Sequence, residues 1–270
     1  WSVTGVQTCA LPICRLIAGF VLAGSGERPV LLRGIGPALA AYGVGDAVAD
    51  PGITVLDAGG RVLLANDNWE EDPAAGLRVR TVGAAIGAFP LPSGSADAGL
   101  LATLSSGAYT LEIGSSSPTT GVALAEVYDA GQDSDPGRRL SNLSARGWVG
   151  EGGMPLVAGL VVTGHASRTV LVRAVGPGLG RLGVEAVLRR PTLQVFDSTP
   201  TLLASNSAWE AEDNGEALRE AMIRAGAFAL NRGSADAVVV LTLAPGVYTA
   251  RVGSLDGVAG RVLLEIYELP

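Results

Sequence analysis

Leu16–Gly24 reads LIAGFVLAG, and Leu156–Gly164 reads LVAGLVVTG. Two runs so alike, set 140 positions apart, mark an internal duplication, and that decides how the rest of the chain is read. The stretch from Ala10 to Gly24 resembles a signal peptide with an apolar centre, but its repeat partner, Leu156–Gly164, lies mid-chain, where no signal peptide can be. Both runs are therefore read as strands. Working outward, VLLRGIGPAL at Val30–Leu39 returns as VLVRAVGPGL at Val170–Leu179. Asn66 and Trp69 match Asn206 and Trp209 at the same offset. A one-residue deletion then shifts the offset to 139 and pairs GSADA at Gly94–Ala98 with GSADA at Gly233–Ala237. SGAYT pairs with PGVYT, and Leu124, Glu126 and Tyr128 pair with Leu263, Glu265 and Tyr267.

Each copy is a series of short segments rich in Val, Leu, Ile and Thr, bounded by Gly, Pro, Asp or Ser. In copy one these are Arg28–Gly34, Ile53–Asp57, Arg61–Asn66, Ala98–Leu104, Ala108–Gly114 and Gly121–Tyr128. DAGG at Asp57–Gly60 is a hairpin signal, because glycine supplies the positive φ of a tight turn. The expected fold is all-β: two tandem antiparallel β-sandwich domains, jelly-roll-like, with at most one short helix each. The helix is expected in NGEALREAMIRAG, where Leu218, Met222 and Ala225 fall at helical spacing. Its partner in copy one, Ala74–Ala85, carries a weaker pattern. Copy one spans 15–130, a polar, turn-rich linker spans 131–138, and copy two spans 139–270, opening on the strand RLSNLSARGWVG.

Residues 1–14 stand apart. Val3–Ile13 reads VTGVQTCALPI, which resembles the in-frame translation of a sequencing-adapter oligonucleotide. This stretch is set aside from fold reasoning as artefactual. Copy one is then expected to lack its first strand and to leave a sheet edge open. Cys9 lies inside the stretch and Cys14 at its junction, so neither a disulfide nor a metal site is argued from them.

Composition narrows the function classes. Hydrophobic residues make up 48% and charged residues 17%, the balance of a folded chain. A net charge of −7 argues against nucleic acid, which calls for a basic stripe. All 19 basic residues are arginine, which a GC-rich coding genome explains without a special role for guanidinium groups. No apolar run reaches the length of about 18 residues that a membrane-spanning helix needs, so no membrane insertion is expected.

The motifs RLSNLSARGWVG, LIAGF, VLLRGIGP, NDNW, SGAYT and GVALAEVY resemble a repeat of large secreted proteins of environmental bacteria. The resemblance covers nearly all of Arg15–Pro270. Copy one lacks the opening motif, and copy two reads NSAW where the pattern has NDNW. It implies extracellular or cell-surface, non-catalytic modules attached to longer chains, and brings no ligand with it.

The side chains that carry chemistry give little purchase for catalysis. His165 is the lone histidine, and its counterpart is Ser25, so no histidine-based triad is repeated. Zinc sites need His or Cys clusters, which the sequence does not offer. Asp57/Asp197, Asp97/Asp236 and Glu126/Glu265 recur, but a glycosidase needs two carboxyls facing each other roughly 5–9 Å apart. Asp57 and Asp97 sit in turns, where a carboxylate caps backbone N–H groups. Arg33 with Glu126, and Arg173 with Glu265, are expected as structural ion pairs that specify strand register. Gly34–Pro37 lacks the remaining glycines and the Lys of a phosphate loop and is read as a turn. No cofactor and no metal ligand is assigned. The oxygen-rich NDN at Asn66–Asn68 loses its charge in copy two, which argues against a shared calcium site there; QDSDPG at Gln132–Gly137 offers clustered oxygens for weak calcium binding. The paired aromatics either plug the core or stack on sugars.

The function expected from these residues is a non-catalytic extracellular structural or adhesive repeat module of a larger secreted or surface protein. Its partners would be polysaccharide or other copies of the repeat. A carbohydrate-binding module is the alternative, with Asn66, Trp69, Asn206 and Trp209 as contacts. An accessory domain or fragment of a hydrolase is the third.

Overall fold

The computed structural model describes residues 2–8, 16–115, 121–131, 139–150, 155–162, 165–211 and 213–269, with residues 2–8 and 139 traced as backbone. The cysteines, all of the linker but Gly131, and the calcium candidate at 132–137 lie outside this set. Two compact units divide the chain at Ser141/Asn142.

Among the described residues, unit 2 holds eight strands: β7 (Arg139–Val149, paired with β14 from Asn142 on), β8 (Leu156–Val162), β9 (Arg168–Val175), β10 (Pro191–Asp197), β11 (Leu202–Asn206), β12 (Ala237–Leu243), β13 (Gly246–Ser254) and β14 (Gly260–Glu268). Numbered one to eight within the unit, they form two antiparallel sheets in the orders 1-8-3-6 and 2-7-4-5. That interleaving is the jelly roll. Unit 1 has the same order from β1 (Ser2–Thr8), β2 (Leu16–Ile35), β3 (Pro51–Asp57), β4 (Val62–Asn66), β5 (Ala98–Ser115) and β6 (Val122–Asp129). Here two strand pairs are fused. β2 and β5 run through both sheets, and their register jumps between Leu22 and Glu27 where the ribbon turns the corner.

The first-strand seat of unit 1 is occupied, contrary to the expected open edge. β1 lies antiparallel on β6 with Ser2 opposite Tyr128 and Thr8 opposite Val122. In unit 2, Asn142 lies opposite Tyr267 and Trp148 opposite Arg261, the same register at the offsets found in the sequence. The unpaired N–H and C=O groups of a sheet edge supply the attraction, and an extended segment satisfies them whatever its side chains.

One sheet in each unit is buried on both faces. Val30, Leu31, Leu32, Arg33 and Ile35 are all buried, as are Val170, Leu171, Val172, Arg173 and Val175. This explains why those strands read as near-continuous apolar runs instead of alternating. The face bearing Leu31 and Ile35 packs under a cap in which Leu39, Trp69, Val79 and Leu91 take part. In unit 2, Leu171 and Val175 lie under Leu179, Trp209, Leu218 and Met222.

The caps hold more helix than expected. Besides α1 (Pro73–Ala85) and α3 (Gly215–Arg224), the Gly-Pro element winds into a 3-10 turn, Pro37–Tyr42, and into a four-residue helix, α2 (Pro177–Gly180). α1 starts sharply because Asp72 accepts a hydrogen bond from the Ala74 amide and Pro73 fills the first turn. Its buried positions are Gly76, Val79 and Gly83, which pack by close approach and leave no apolar stripe to read.

Candidate functional site

Arg33 on β2 and Glu126 on β6 are direct cross-strand partners, as are Arg173 on β9 and Glu265 on β14. Arg33 Nε meets Glu126 Oε2 at 2.6 Å with the two side chains 3% and 1% exposed. Arg173 Nη2 meets Glu265 Oε2 at 2.8 Å. In each unit a tyrosine two residues on donates to the other carboxylate oxygen: Tyr128 Oη to Glu126 at 2.8 Å, Tyr267 Oη to Glu265 at 2.7 Å. Each guanidinium donates Nη1 to a cap carbonyl, Phe89 or Phe228, at 2.7 Å, and lies 4.4 Å from that residue's ring centroid. Arg33 Nη2 and Arg173 Nε, both buried, make no hydrogen bond among the described residues. Burial pushes the Glu126 carboxyl above its ordinary range against the pull of Arg33 and the Tyr128 hydroxyl. Burial, with the Glu265 charge beside it, also pushes the Tyr267 hydroxyl up.

Asp97 and Asp236, fully buried, do for the cap what these pairs do for the sheet. Asp97 accepts from the Gly36 amide at 2.8 Å, from the Ala38 amide and from Ser95 Oγ at 2.7 Å. Asp236 accepts from the Gly176 and Gly178 amides and from Ser234 Oγ. Each carboxylate therefore holds the Gly-Pro turn from a loop some sixty residues away. Glycine is required in that turn because a Cβ at Gly36 would lie 1.9 Å from the Val48 carbonyl oxygen, and at Gly176 2.0 Å from that of Leu188.

The residues proposed as sugar contacts are placed otherwise than expected. Trp69 is 2% and Trp209 1% exposed, so neither offers a face for stacking. Each indole plugs its cap and donates Nε1 inward, Trp69 to Ser95 Oγ and Trp209 to the Asn231 carbonyl. Asn66 accepts from the Gly99 amide and donates to the Asn68 carbonyl; Asn206 accepts from Val238 and donates to Ala208. Their amides cross-link the hairpin to the neighbouring edge strand, so, contrary to expectation, these four positions form no sugar-stacking face. Packing overrides surface chemistry here because the open side of the sandwich must be closed by something large.

Two further repeated groups escaped the sequence reading. Glu70 accepts from Ser93 Oγ at 2.6 Å and from the Gly94 amide, and Glu210 accepts from the Gly233 amide. Arg28 pairs with Asp129 at 2.6 Å and Arg168 with Glu268 at 3.2 Å. Carrying every charged residue through the offsets of 140 and 139 would have found them. His165 is exposed, in a bend before β9. Among the described residues, no three of His, Cys, Asp and Glu gather as metal ligands, and no helix is long and apolar enough to cross a membrane. A cleft of about 430 Å³ in unit 2 opens between α3, β11 and β12. Its lining includes Ser205, Asn206, Asn214 and Arg224, with no carboxylate.

No family model matches the chain, and no curated protein does. Among solved structures, one described as "Crystal Structure of the STIV MCP" is 12% identical, with 98% of this chain and 90% of that chain covered at a TM-score of 0.26. The jelly roll follows from the strand order itself.

Proposed function

We propose that this chain is a non-catalytic structural repeat module, working outside the cell as part of a larger secreted or surface protein, with other copies of the repeat as its partners. The observation that carries the reading is where the repeated polar groups go. Arg33 with Glu126, Asp97, Asn66, Glu70 and their counterparts in unit 2 each bond to the scaffold of their own unit. A duplication that kept a reaction would keep polar atoms aimed at a shared cleft. What recurs here is the set of bonds that fixes a jelly roll and its cap. The extracellular placement rests on the resemblance to secreted repeats.

The test is a glycan array together with a panel of glycoside, ester and peptide substrates, all offered to the whole chain. The reading expects no saturable glycan binding and no turnover. Turnover that Glu126→Gln or Asp97→Asn abolishes without unfolding the chain would overturn it, and so would saturable binding of one glycan class.

A further inference from the structure

The seat beside β6 is taken by Ser2–Thr8, and the equivalent seat beside β14 by Asn142–Trp148. The two segments read SVTGVQT and NLSARGW and share no residue at any of the paired positions. Rung for rung they nevertheless sit alike. Ser2 faces Tyr128 as Asn142 faces Tyr267, and Thr4 faces Glu126 as Ser144 faces Glu265. What the units have in common is the receiving strand, VALAEVY in β6 and VLLEIY in β14. Register is therefore imposed by the acceptor. Its backbone ladder bonds without reading side chains, as in strand addition to a sheet edge.

The seat still has a preference. Leu143, Ala145 and Gly147 of β7 are buried, so every second position of the donor turns inward. The matching positions of β1 are Val3, Gly5 and Gln7. By sequence, a donor of the β7 kind carries the larger apolar residues on the first two of these rungs, Leu for Val and Ala for Gly, and glycine for glutamine on the third.

We propose that the β6 edge of unit 1 is a strand-acceptor site. Its ligand is a β7-type strand, apolar or small at alternate positions, offered by another copy of the repeat and taken in place of Ser2–Thr8. This names the partner surface of the module; it rests on the preceding reading only for the source of the strand.

The experiment titrates the whole chain with the synthetic peptide RLSNLSARGWVG, the sequence of Arg139–Gly150, and follows amide hydrogen exchange by mass spectrometry. One peptide binds per chain, exchange over Ser2–Thr8 quickens roughly tenfold or more, and Val122–Asp129 stays protected. A peptide carrying Leu143→Glu and Ala145→Glu binds roughly tenfold more weakly or worse, since both positions face inward. The proposal is overturned by exchange over Ser2–Thr8 that does not change, by equal binding of the glutamate peptide, or by release of β7 alone. None of these outcomes bears on the glycan and substrate assays.

Discussion

A guanidinium and a carboxylate taken out of water each lose several kcal/mol of hydration, and only close pairing with full hydrogen bonding returns it. Arg33 and Glu126 come near to that state but leave Arg33 Nη2 without a hydrogen bond among the described residues. Glu126→Leu alone strands a buried cation and is expected to cost about 3–5 kcal/mol. The double change Arg33→Met with Glu126→Leu recovers most of that loss, read as the shift in urea midpoint at constant slope. The pair is thus a device for register, since a slip of one residue would carry Glu126 to the opposite face of the sheet. Asp97 differs because two of its three donors, the Gly36 and Ala38 amides, are backbone N–H groups that stay in place when side chains change. Asp97→Ala leaves the Gly36 and Ala38 amides buried without their acceptor, for an expected loss of about 3 kcal/mol by the same measurement.

Turns carry the charge that answers to pH. In the β3–β4 hairpin, the Arg61 amide bonding to Asp57 holds its carboxyl below the ordinary range. The Thr199 hydroxyl does so for Asp197, Ser254 for Asp256 and Ser93 for Glu70. A carboxyl lowered by folding adds stability that is complete above its unfolded value and is lost as pH falls through the folded one. Thermal midpoints are therefore expected to fall with pH below about 4, and less steeply in Asp57→Asn and Asp197→Asn variants. At this scale the sequence was legible in part. Strands and hairpins were readable because their signals are local: alternation, glycine and the Asx turn. α1 was faint because Gly76 and Gly83 supply its contact. The partner of Asp97 was invisible because it lies on a turn far off in sequence. Trp69 was ambiguous because a large aromatic beside polar residues looks the same whether it faces out or plugs a core.

Across the whole molecule the duplication reaches the order of the strands. The interleaved sheets 1-8-3-6 and 2-7-4-5 occur twice, although no local signal in either half fixes which strands pair. That order comes from long-range register, which periodicity does not encode. Each unit closes a core of its own. Residues 139–270 alone are accordingly expected to unfold in one cooperative denaturant transition; a broad, non-cooperative melt would show that the unit depends on the rest of the chain.

Strands one and eight of each unit lie side by side and antiparallel, so the chain enters and leaves at the same rung, Ser2 beside Tyr128 and Asn142 beside Tyr267. Tension applied through those ends falls on one pair of hydrogen bonds at a time. Each unit should peel like a zip at low force, well below that of a fold whose end strands are dragged past each other in shear. A single-molecule extension trace would read this directly. A module built so yields early and lengthens under load, which suits a compliant spacer better than a rigid strut.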